Sequence, residues 1–135
     1  MQIGVPRLSD ADADRFGEAM RRNGYLGVAD NVQDHPHPAG APAMEWQKRF
    51  FGGCDPGRIV HVHVREIGPA GWTFALAFRD WLRSEPAARE EYAALKRHLE
   101  AQSATTRDYT DAKEPWFETA YPRVQEWIDE ARWTP

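Results

Sequence analysis

Cysteine is almost absent from this sequence of 135 residues: Cys54 stands alone. No disulfide can close within the chain and no cysteine cage for zinc can be built from it, so a reducing compartment, the cytoplasm, is expected. There is no excess of basic charge either. The net charge is -4 and the pI near 5.7, which argues against a protein that coats a nucleic-acid polymer or an anionic membrane, since both need a sustained basic surface. No apolar run is long enough to cross a bilayer, and the opening MQIGVPRLSD lacks the charged and then apolar order of a signal peptide. Internal repeats and low-complexity tracts are also missing. A chain of this length has room for one domain, 1–135, and one site.

What is present orders itself as strands first and helices after. MQIGVP reads as a short strand, and Ser9 with Asp10 and Asp12 opens a helix that Gly24 closes, over about Asp10 to Asn23. YLGVA is a second strand. The loop DNVQDHPHPAGAPA carries prolines at 36, 38 and 42, which remove backbone donors and keep it out of a sheet interior. MEWQKRFFGG and RIVHVHVREIG flank the turn sequence CDPG and pair as an antiparallel hairpin of about Trp46–Phe51 with Ile59–Arg65. GWTFALAFRDWLRSEP and AAREEYAALKRHLEAQ then repeat at helical spacing. A third helix is expected from near Thr110 to Trp133, kinked or broken at Pro122. The order predicts an α+β fold with a mixed or antiparallel sheet of about four strands and helices packed on one face. Trp72, Trp81 and Trp127 read as core, whereas Trp116 and Trp133 suit the cover of a sheet edge or a partner. Cys54 reads as incidental.

On the strand RIVHVHVREIG the valines leave one face and His61, His63 and Arg65 the other. Two imidazoles two apart can converge on one metal ion, with a third ligand from His35 or His37, or they can be half-exposed residues hydrogen-bonded to neighbours.

Several segments together resemble one family. Lys48, Arg49 and Phe50 on the first hairpin strand, HVHV at 61–64, FRDWLR at 78–83, then Pro86, Tyr92, Leu95 with Lys96, Tyr109 and Lys113 follow in the order and approximate spacing of the GrpB family. MQIGV resembles the family strand that follows an isoleucine-aspartate pair. The resemblance implies a nucleotidyltransferase-like fold whose open sheet face takes a nucleotide or other phosphorylated small molecule. Lys48 or Arg49, but not both, shares that face with His61, His63 and Arg65, and Arg79, Lys96 and Lys113 extend the phosphate-binding set. In the helix, adjacent Arg79 and Asp80 are expected to diverge, while Arg79 and Arg83 share a face.

The family also occurs fused behind dephospho-coenzyme A kinase, which implies a second reading as an interaction or folding-support module tied to coenzyme A biosynthesis. A kinase site would need a loop of the form GxxxxGK[ST], and none is present. The family's GST segment and the aspartate of its KPxID segment are not seen ahead of the first strand. The chain is therefore expected to be N-terminally truncated relative to the family or degenerate, inactive as a transferase by itself, with magnesium implied only where that front segment exists. No metal ligand set is expected. The QIGV strand is expected inside or near the middle of the sheet, so its uncovered edge implies a homodimer or a partner.

Overall fold

The structure, a computed structural model, describes residues 1–55 and 58–135; of residues 10–13, 54 and 55 only the backbone enters the description. The elements run β1 (Gln2–Val5), α1 (Asp10–Arg22), β2 (Tyr25–Gly27), a 3-10 turn (Ala43–Trp46), β3 (Arg49–Asp55), β4 (Arg58–Glu66), α2 (Ala70–Ser84), α3 (Pro86–Gln102), α4 (Thr106–Asp111) and α5 (Glu114–Ala131). This is the α+β order read from the sequence.

The four strands form one sheet in the order β1-β4-β3-β2. β4 pairs parallel with β1 and antiparallel with β3, and β2 pairs antiparallel with β3. The hairpin lies later in the chain than expected: β3 begins only at Arg49, and Trp46 sits buried in the 3-10 turn ahead of it. Of the turn CDPG, Pro56 and Gly57 lie outside the described residues. QIGV is an end strand, not an inner one, because its single neighbour among the described residues is β4.

Register explains the core. Phe51 stands opposite Val62 and Arg49 opposite Val64, so these four share a face, while Phe50 and His63 share the other. α1 lies across the valine face, where Phe16 and Met20 join Ile3, Val5, Leu8, Tyr25 and Val60 around Phe51, Val62 and Val64. Phe16 meets Phe51 edge-on at 5.8 Å. Each such side chain removed from water contributes roughly 1.5–3 kcal/mol. α1 stops where Gly24 takes a φ of 82° and its N–H donates to the Arg21 carbonyl.

The chain folds as two compact units, 1–36 with 42–73, and 37–41 with 74–135. In the second unit Ala77, Trp81, Ala88, Ala120 and Val124 are buried. Around them Phe74, Phe78, Tyr92, Phe117 and Tyr121 pack ring against ring. His37 is buried with them, its Nδ1 2.8 Å from Glu118 Oε1 and its Nε2 3.6 Å from Glu114.

Two expectations for this unit need correction. The third helix is two: α4 opens with a capping box between Thr105 and Asp108, and α5 starts afresh with Pro115 in its first turn. α5 then runs through Pro122 without a break. Trp116 donates to Glu91 at 2.6 Å while stacked on Tyr92, and Trp133 donates to Asp80 at 3.2 Å.

Candidate functional site

The sheet face opposite α1 gathers the polar groups. Lys48 precedes β3 and emerges on the same side as Phe50, while Arg49 goes to the α1 face, so alternation selects Lys48 and excludes Arg49 from the histidine face. A two-residue ladder fixes the partner of Lys48. The Lys48 N–H donates to the Val32 carbonyl, Gln33 bridges Gln47, and the Asp34 N–H donates to the Trp46 carbonyl, so residues 32–34 run antiparallel beside 46–48. Asp34 is thereby set beside Lys48 and Arg65. Lys48 Nζ donates to Asp34 Oδ1 at 2.5 Å, and the Arg65 guanidinium donates to Asp34 Oδ2 and to Gln2 Oε1. Gln2 arrives through the parallel register of β1, opposite His63.

This cluster is less open than the valine-histidine alternation implies. Lys48 and Arg65 are each only 5% exposed. Arg65 can be buried because Asp34 and Gln2 satisfy its two terminal nitrogens, although its Nε has no hydrogen-bond partner among the described residues. Gly4 closes this end: a Cβ there would lie 2.6 Å from the Trp72 ring, so only glycine lets Trp72 sit over the residue paired with Arg65. His63 is half-buried and its Nδ1 is likewise without a partner among the described residues. His61 is exposed, and Phe50 meets both imidazoles edge-on, at 5.2 and 4.9 Å.

Electrostatics follow from this packing. Burial, with Arg65 and Lys48 nearby, pushes the His63 imidazole down to about 4, so it is neutral near pH 7. Burial works to raise the Asp34 carboxyl, but Arg65 and Lys48 together hold it below the ordinary aspartate value. Two buried cations thus share one half-buried carboxylate.

The other cations named from the sequence lie in the second unit, each with a local partner. Arg79 grips its neighbour Asp80 through two bonds of 2.8 and 2.7 Å, and Arg83 adds a third at 3.0 Å. Adjacent helix residues were expected to diverge; the long guanidinium arm folds back instead, and its hydrogen bonds hold the Asp80 carboxyl down to about 2. Lys96 stands over the Tyr92 ring at 5.4 Å and Lys113 over Tyr109 at 4.3 Å. His35 is exposed and His37 belongs to the Glu114–Glu118 pair. No group of three His, Cys, Asp or Glu side chains able to hold a metal gathers among the described residues.

Asp34 and Gln2 are the site residues that sequence reasoning passed over. Asp34 sits in a proline-rich loop with no periodicity, and its placement depends on pairing with residues twelve and more positions away. Gln2 had a signal, the alternation of QIGV, but its partner strand was not legible.

A mixed sheet with a helix across one face and a buried cationic cluster on the other defines an α+β domain consistent with nucleotidyltransferase-like proteins. The chain belongs to the GrpB family: the family described as GrpB protein matches residues 1–123. Among curated relatives, a dephospho-CoA kinase of Mycobacterium tuberculosis (strain ATCC 25618 / H37Rv) is 43% identical over 139 residues, covering 100% of this chain and 31% of that protein. The dephospho-CoA kinase of Mycolicibacterium paratuberculosis is 40% identical over 136 residues, again 100% of this chain and 31% of the relative. UPF0157 protein YqkA of Bacillus subtilis is 33% identical over 114 residues, 84% of this chain and 30% of its own length. The chain therefore spans under a third of the length of these relatives. Among the described residues no helix is long and apolar enough to cross a membrane.

Proposed function

We propose that this GrpB domain binds a nucleotide or another phosphorylated small molecule on its polar sheet face and catalyses no transfer by itself. One observation carries the reading: Lys48 and Arg65, both buried, share the single carboxylate of Asp34. Two cations removed from water against one anion leave a positive excess, which a phosphate would offset through charge-assisted bonds. The approach is from the rim, where Gln2 and His61 are exposed. Neutral His63 offers a hydrogen bond without further charge, and Phe50 with His61 offers ring surface to a base.

Titration calorimetry with adenosine and guanosine nucleotides tests this. Binding that weakens at least tenfold in His61→Ala and in Lys48→Met, with the far-ultraviolet dichroism unchanged, is the expected outcome. Nucleotide affinity indifferent to both substitutions would move the site elsewhere.

A second reading rests on a separate observation, the alignment of the whole chain with 31% of each dephospho-CoA kinase. On this reading the domain supports the folding of the protein that carries it and so serves coenzyme A biosynthesis indirectly. Deleting the matching segment from one of those kinases should lower its soluble yield while the rate per folded molecule stays unchanged. A changed rate at unchanged solubility would speak against folding support.

A further inference from the structure

The opposite side of the sheet holds a cavity, independent of the polar cluster. It measures about 560 Å³. That volume is in the range that holds small ligands. Its composition divides in two. Val5, Leu8, Phe16 and Val64 give an apolar floor that continues the packing between α1 and the sheet. Three guanidinium groups come to it from separate places: Arg7 from the β1–α1 connection, Arg15 from α1 and Arg49 from β3.

Arg49 is the anchored member, half-buried and donating to the Lys48 carbonyl at 3.3 Å. Arg7 and Arg15 are exposed. Glu66 shares this face, but its carboxylate accepts the Leu8 N–H at 3.1 Å and it does not line the cavity. No carboxylate lines the cavity among the described residues.

We propose that this cleft binds a small amphipathic anion, with a single carboxylate or phosphate head held by Arg7 and Arg15 and an apolar body laid on Val5, Leu8, Phe16 and Val64. Planar guanidinium forks suit both head groups.

Decanoate, decyl phosphate and decanol, each below its micelle concentration, are titrated into the full chain and followed by calorimetry and by amide shifts. The expected result is saturable one-site binding of at least one anion, with shifts centred on Leu8, Phe16 and Val64 and decanol bound at least tenfold more weakly. The tighter of the two anions identifies the head group. The double substitution Arg7→Gln with Arg15→Gln alters only exposed side chains; it should weaken anion binding at least tenfold and leave decanol unchanged. Equal binding of decanol, shifts scattered over the surface, or anion affinity unaffected by the double substitution would each overturn the proposal. The polar-face reading is untouched by that outcome, since its nucleotide titration reports on His61 and Lys48.

Discussion

Asp34 decides the charge state of its surroundings. Replacing it by asparagine leaves Lys48 and Arg65 buried without a counter-charge, and breaking a buried ion pair in this way costs about 3–5 kcal/mol. Urea unfolding of Asp34→Asn at pH 7 should show that loss; a change under 1 kcal/mol would mean that water reaches both cations. His63 gives a pH signature of its own. Its folded pKa of about 4 lies below the 6.5 of the unfolded chain, so the unfolded state binds more protons between those values. The penalty is absent above pH 6.5, grows as pH falls, and is complete below about 4. Asp34 acts lower: its depressed value means that its contribution is present above the ordinary aspartate range and lost only as pH falls through the folded value. Wild type should therefore lose stability between pH 6.5 and 4 more steeply than His63→Asn. An imidazole proton resonance for His63 that titrates near 6.5 would contradict the burial.

At the scale of elements, periodicity makes most of the fold legible in the sequence. The valine-histidine alternation gave the faces of β4, and Gly24 gave the end of α1, because both signals are local. What was hidden is non-local: the parallel partner of β4, the ladder that places Asp34, and the choice between Lys48 and Arg49, which depends on a register that no single strand carries. Pro122, expected to kink or break the last helix, does not break it, because α5 is held by packing on both sides of it, with Ala120 and Val124 fully buried. The proline still has no N–H to give the Glu118 carbonyl four residues earlier. Pro122 is exposed, so Pro122→Ala restores that bond without disturbing the core and should stabilise the protein by about 1–2 kcal/mol, the helix gain exceeding the freedom returned to the unfolded chain. Thermal unfolding followed by circular dichroism reads this as a raised midpoint. An unchanged or lowered midpoint would show that α5 bends to accommodate the ring.

At the scale of the whole molecule, the sheet ends among the described residues on β1, four residues long and paired on one side by β4. His63 donates to the Met1 carbonyl and Ile67 to the Val5 carbonyl. In a parallel ladder the backbone groups of successive residues alternate in direction, so those of Gln2 and Gly4 turn outward. Such groups seek a partner strand, and two short strands supply few bonds. Association through this edge is therefore expected to be weak, with a Kd on the order of 0.1 mM, near 5.5 kcal/mol. Light scattering across a range of concentrations should show the mass rising from 15.5 kDa toward twice that value. Gln2→Pro, which removes one outward N–H and spares the inward ladder, should hold the chain monomeric at every concentration. A constant monomer mass for the unaltered chain, or association that survives Gln2→Pro, would place the contact on another surface or remove it altogether.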